Sequence, residues 1–135
     1  MSDNSNNTRV VLSICSDEDV ILARQKIRVL AQKMGFSLLD QTRLVTAVSE
    51  LARNIVVHAK TGRVTYARED ERQGIRVLFE DDGPGIPVLA SAMKEGYSTI
   101  GSLGLGLTGS KRLVDEFSIA SEPGKGTRVE IVKWR

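Results

Sequence analysis

One cysteine, Cys15, is the only thiol in the chain, which removes intramolecular disulfides and Cys-rich metal sites from consideration. It lies in a stretch that reads as a strand, where a free, buried thiol in a reducing compartment is expected. Aromatic residues make up only 4% of the 135 positions, and 19 basic side chains nearly balance 17 acidic ones for a formal charge of +2. With neither a base-stacking surface nor a strong positive field, nucleic acid is not an expected partner. The longest apolar runs fall short of the roughly 18 residues that a membrane span requires. The amino-terminal MSDNSNNT has neither the basic nor the apolar region of a signal peptide. A cytoplasmic protein without membrane attachment is expected. There are no repeats, linkers or low-complexity blocks, so residues 1–8 read as a disordered lead-in and 9–135 as a single domain.

What is present is ordinary globular composition, 41% hydrophobic and 27% charged, with clear periodicity. Val10, Leu12 and Ile14 alternate as in a strand. Ser16, followed by Asp17, Glu18 and Asp19, reads as the N-cap and acidic first turn of a helix that stops at Gly35. A second helix is expected from about Asp40 to His58, with Leu44, Val48, Leu51 and Ile55 as its buried stripe. Two strands, 64–67 and 75–79, flank EDERQG. A short helical piece at 88–95 precedes the Gly- and Ser-rich YSTIGSLGLG. A helix over 105–116 then leads to strands at 118–120 and 128–134. This order predicts an α+β fold, a two-layer sandwich with a mixed, mainly antiparallel sheet and helices on one face.

Three stretches carry candidate chemistry. EDDGPGI, residues 80–86, places three carboxylates and two glycines at a strand end. Any tight turn could use Gly83 and Gly85, but three successive acids ask for more, and a carboxylate beside an apolar cavity can accept a hydrogen bond from an exocyclic amine such as that of adenine. GSLGLGLTG, residues 101–109, precedes a helix and would present backbone N–H groups to a polyphosphate. Its G-x-G-x-x-G spacing lacks the preceding strand of a dinucleotide-binding unit, and GKGT at 124–127 lacks the upstream glycine of a P-loop. SELARN puts Glu50 and Asn54 four residues apart on one helix face, beside the buried stripe. Asn54 can offer an oxygen to Mg²⁺, and Glu50 can take a proton from a hydroxyl nucleophile.

In order, ELARN, DDGPGI, GLGLG and GKGT resemble the motifs of the GHKL ATPase/kinase superfamily shared by gyrase, Hsp90, histidine kinases and MutL. Within it the chain is similar to the small, single-domain anti-sigma-factor serine/threonine kinases, including the switch kinases of the stressosome. ELARNI, DGPGIP, YSTIGSLGLGL and KRLVDEFSI followed by GKGT carry that closer likeness. The resemblance implies a Bergerat fold binding ATP and Mg²⁺, with Glu50 as catalytic base, Asn54 as metal ligand and Asp81 as adenine-binding acid. It places Gly83, Gly85 and Ile86 at the base, has Gly101, Ser102, Gly104, Leu105 and Gly106 wrap the phosphates, and has Thr127 support Asp81 or a water at the adenine. The implied partners are a STAS-domain phosphoacceptor, a PP2C-type phosphatase and a sigma factor.

The segment 100–103 lacks the arginine that some of these kinases aim at the γ-phosphate, which leaves Lys94, Lys111 and Arg112 as candidate cations. His58 and Arg53 read as rim and surface residues. An ATP-dependent anti-sigma factor or binding module with little turnover is the competing reading, and an ATP-hydrolysing clamp is disfavoured because no transducer domain or dimerisation arm is read in residues 1–135.

Overall fold

A computed structural model describes residues 9–83 and 101–135, the side chains of 101–106 excepted. The expected helix at 88–95, Lys94, Gly85 and Ile86 lie outside the described residues. The elements in chain order are β1 (Val10–Ile14), α1 (Asp17–Lys33), α2 (Leu38–Asn54) and a single π-helical turn (Ile55–Ala59). They continue with β2 (Gly62–Glu69), β3 (Gly74–Asp81), α3 (Gly101–Leu113), β4 (Glu116–Glu122) and β5 (Gly126–Trp134).

The sheet order is β1-β2-β3-β5-β4, and all four ladders are antiparallel. The mainly antiparallel sheet predicted from sequence is therefore antiparallel throughout the described residues. The reason is the seating of the last hairpin. The chain leaves β3, crosses through α3 and returns in β4, but β5 takes the place beside β3 and separates the two strands that run parallel.

Local chemistry sets the helix ends. Ser16 Oγ accepts the Asp19 N–H at 3.3 Å, and Ser37 Oγ accepts the Asp40 N–H at 3.1 Å, each satisfying one of the N–H groups left free at a helix start. Cys15 departs from expectation. It lies just past β1 and is exposed, because Asp19 Oδ2 turns back to accept its N–H at 2.9 Å and its thiol at 3.3 Å. That hydrogen bond, followed by the charge of Asp19, raises the thiol pKa and keeps the proton on sulfur. Helix α1 closes at Gly35, with φ +81°, where the absence of Cβ permits the left-handed turn.

The core lies between the helices and one face of the sheet. Val20, Ala23, Ile27 and Ala31 of α1 and Leu44, Val48, Leu51 and Ile55 of α2 and the π turn are buried against Val64, Val77, Phe79, Val129 and Ile131. Each fully buried aliphatic side chain contributes roughly 1.5–3 kcal/mol. The strands are longer than the sequence alone indicates, and Glu116 opens β4 instead of closing α3. Helix α3 begins at Gly101, four residues before the expected start. Gly101, Gly104, Gly106 and Gly109 all fall in it, at a cost of about 1 kcal/mol each relative to alanine, so this helix depends on its packing against α2.

A buried cation ties the far end of the layers together. Lys133, only 7% exposed on the inner face of β5, reaches Asp115 at 3.1 Å and Asp40, in the first turn of α2, at 3.4 Å. Asp115 Oδ2 also accepts the Trp134 N–H at 2.7 Å. Burial opposes the Asp115 charge, but the Trp134 amide, Lys133 and Arg72 together outweigh it and hold the carboxyl below its usual pKa. A depressed carboxylate contributes stability that is present above its unfolded pKa and is lost as pH falls through the native value. Lys133→Met is therefore expected to lower stability at neutral pH by about 1–2 kcal/mol. In denaturant melts across pH, the parent and variant curves should converge under acid.

Candidate functional site

The three acids of EDDGPGI are separated by the register of β3. Side chains alternate along a strand, so Glu80 faces outward, where Arg63 and Arg128 bracket it at 3.3 and 3.6 Å. Asp82 is exposed beyond the strand end. Asp81 alone follows Val77 and Phe79 onto the helix-covered face, where it is half-buried.

Backbone amides hold Asp81. Its Oδ1 accepts the Gly83 N–H at 2.9 Å, and the Thr127 N–H of the adjoining strand also donates to the carboxylate. Burial is the largest influence on its pKa and pushes it up, aided by the like charge of Asp82. The two amides and the nearby His58 pull it down, and the net direction is upward. A partly desolvated carboxylate with remaining acceptor capacity favours a neutral hydrogen-bond donor such as an exocyclic amine.

Three glycines let the backbone close around this acid. A Cβ on Gly62 would meet the Glu80 carbonyl oxygen and lie 2.7 Å from Ile55 Cγ2. One on Gly83 would lie 2.5 Å from Ala59 Cβ, and one on Gly126, at φ +102°, would meet the Asp81 carbonyl oxygen. Sequence reading identified Gly83 but missed Gly62 and Gly126. Gly126 sits within GKGT, whose motif points to Thr127 instead. Thr127 reaches Asp81 through its amide, while its hydroxyl pairs with Ser121 Oγ at 3.0 Å. Ser121 also donates to the Gly126 carbonyl at 3.1 Å, so it braces the same turn. No sequence motif marks Ser121.

Helix α2 supplies the second wall. Glu50 and Asn54 are both half-buried one turn apart, beside the buried stripe, while Arg53 points to solvent. Asn54 Nδ2 is buried and has no hydrogen-bond partner among the described residues. A buried, unpaired amide end is costly unless a ligand meets it, and rotation of the amide exchanges its nitrogen and oxygen. With the oxygen inward, Asn54 suits a hard cation. The described residues contain no cluster of three or more His, Cys, Asp or Glu side chains that could hold a metal. A Mg²⁺ here would therefore take few protein ligands and rely on phosphate oxygens and water, its usual mode.

The helix expected to run to His58 instead changes to a π turn at Ile55, closed by the Lys60 N–H to the Ile55 carbonyl at 2.8 Å. The widened turn brings Ala59 onto the DDG turn and His58 within electrostatic reach of Asp81. Partial burial lowers the His58 pKa, opposed by Asp81 and reinforced by Lys60, so the neutral ring is favoured. Gly101, Ser102, Gly104, Leu105 and Gly106 form the first half of α3, where the first N–H groups lack intrahelical acceptors. Gly104 and Gly106 thus belong to the helix and not to a loop before it. Lys111 and Arg112 are exposed in its last turn.

Residues 39–135 match the family model described as histidine kinase-, DNA gyrase B-, and HSP90-like ATPase. The chain is 43% identical over 130 residues to the serine/threonine-protein kinase RsbT of Bacillus subtilis (strain 168), covering 95% of this chain and 98% of that one. It is 27% identical over 135 residues to the anti-sigma F factor of Caldanaerobacter subterraneus subsp. tengcongensis, with 96% and 94% of the two chains covered. The solved RsbU and RsbW domains of Rv1364c from Mycobacterium tuberculosis share the fold, with a TM-score of 0.64 over 93% of this chain and 32% of that one at 21% identity.

The glycine cradle generates a paired test. Gly126→Ala, with a positive φ and a backbone collision, is expected to lose about 2–4 kcal/mol. Gly109→Ala, whose Cβ meets nothing within 4 Å, should be neutral or stabilising by up to about 1 kcal/mol. Urea melts of the two variants distinguish these outcomes.

Proposed function

The chain belongs to the histidine kinase-, DNA gyrase B- and HSP90-like ATPases, and from that premise we propose that it is an ATP-dependent protein serine/threonine kinase working as a partner-switching regulator. The observation that carries the reading is Asp81, the single inward-facing acid of its triplet, held by two backbone amides in a cradle of glycines. It supports recognition of the adenine amine. The 43% identity to a serine/threonine-protein kinase over nearly the whole of both chains supports the reaction class.

In this reading Asp81 accepts a hydrogen bond from the exocyclic amine, Gly83 and Gly85 let the base approach, and Ile86 belongs to the same base-binding site. The opening N–H groups of α3 and the segment leading to Gly106 meet the phosphates. Asn54 would hold Mg²⁺, which would supply neutralisation of the phosphate charge. Glu50, with no hydrogen-bond or ion-pair partner among the described residues, accepts the proton of the attacking serine or threonine hydroxyl. The hydroxyl oxygen bonds to the γ-phosphorus as the β–γ bridging bond breaks and ADP departs. The acceptor is a STAS-domain protein, and the freed kinase activates a PP2C-type phosphatase in the cytoplasm. The likeness to anti-sigma F factors favours one second reading, in which nucleotide shapes a surface for a sigma factor and turnover is incidental.

Transfer of labelled γ-phosphate from Mg-ATP to a STAS-domain protein separates the two. Glu50→Ala should lower the transfer rate by about 10²–10⁴-fold with nucleotide binding retained. Asn54→Ala should weaken binding in the presence of Mg²⁺, and Asp81→Asn should weaken ATP binding sharply without unfolding the chain. A parent that binds ATP and its partner without transferring phosphate would select the second reading.

A further inference from the structure

The side of α1 that faces away from the core has a pattern the nucleotide site does not use. After its acidic first turn, α1 carries Arg24, Lys26, Arg28 and Lys33 and no carboxylate. None of these four cations forms an ion pair among the described residues. Leu22, Lys26, Val29 and Lys33, at spacings of 4, 3 and 4, make one helical stripe that alternates apolar and basic. Leu22 and Val29 are 43% and 46% exposed. An exposed apolar seam with charged edges is the usual mark of an interaction surface.

The stripe is one wall of a groove of about 510 Å³, and Val10 of the edge strand β1 and Tyr66 of β2 stand on the other side. No carboxylate lines it; its one other cation, Arg68, is already paired with Asp70 at 3.2 Å. The complement of such a surface is a helix whose own apolar stripe is flanked by acids. The apolar atoms line a concavity, which suits a helix better than the plane of a bilayer.

We propose that the groove between α1 and the β1–β2 edge docks an acidic, amphipathic helix of a partner protein. The site is separate from the nucleotide site, because none of Leu22, Lys26, Val29 and Lys33 belongs to that site. Docking there leaves Asp81, Asn54 and Glu50 free to work, and it offers a regulated kinase a second contact that persists through turnover.

The test is a displayed library of helix-forming peptides of about 18 residues with apolar positions fixed at i, i+4 and i+7. Flanking positions are randomised among Glu, Gln and Lys, and selection is run on the full chain and on Lys26→Glu/Lys33→Glu. Glu-flanked sequences should enrich on the parent, and the synthesised winner should bind the charge-reversed chain at least about tenfold more weakly. Lys26→Gln/Lys33→Gln should give an intermediate loss, and Leu22→Asp should remove binding, with the unfolding midpoint and ATP affinity of the charge variants unchanged. Equal enrichment of Gln- and Glu-flanked peptides, or an affinity indifferent to Lys26 and Lys33, would overturn the proposal. So would a dimer in sedimentation that Leu22→Asp converts to monomer, which assigns the groove to a second copy. Binding to phosphatidylserine vesicles that depends on Lys26 and Lys33, with no peptide enriched, would assign it to an anionic membrane surface instead.

Discussion

The structure of the site depends on a carboxylate kept partly out of water at the end of a strand. Asp81 is placed there by the pleat of β3, which sends Val77, Phe79 and Asp81 to one face and Glu80 to the other. Left alone, its burial would favour the protonated form. The Gly83 and Thr127 amides moderate that cost without removing it. An acceptor in this condition gains from a ligand that brings its own N–H. The glycines at 62, 83 and 126 then read as one device, since each lets a neighbouring backbone or side chain come closer to the Asp81 turn than a Cβ would allow.

The other residues of the site are fixed by packing that has nothing to do with ligands. Leu44, Val48, Leu51 and Ile55 bury one stripe of α2, and that rotation sets Glu50 and Asn54 at the margin of the core. The same helix is anchored at its start by Asp40 through Lys133, and its end widens into the π turn that meets Gly83. Helix α3, rich in glycine and poor in intrinsic stability, leans on α2. Its opening N–H groups therefore sit on the element of the site with the least helix-forming tendency of its own.

Much of this was legible before any coordinates. Periodicity identified α1, α2, β1 and β3 because those segments alternate buried and exposed positions, the turn stretches EDERQG and SEPGKGT marked off the other strands, and the Ser16 cap is a local signal with a local cause. The acidic triplet stood out because a plain turn does not explain three acids, and the resemblance to the GHKL motifs picked Asp81 from among them. Sequence reading failed where tertiary contact overrides local tendency. Glycines at 101 and 104 read as loop yet are helical, Cys15 read as buried yet is held outside by Asp19, and the continuous helix to His58 gives way to a π turn. Lys133 and Ser121 carried no signal, since their roles depend on Asp115 and Asp40, and on Gly126 and Thr127, once the hairpin is seated.

The central claim is that Asp81 reads a hydrogen-bond donor on the base, and the most direct measurement compares ATP with inosine triphosphate, which has a carbonyl where adenine has its amine. Calorimetric titration of both nucleotides into the full chain should show inosine triphosphate binding about 10²–10⁴-fold more weakly, with the gap narrowed in Asp81→Asn, whose amide can donate to that carbonyl. Equal affinity of the parent for the two nucleotides would contradict the account.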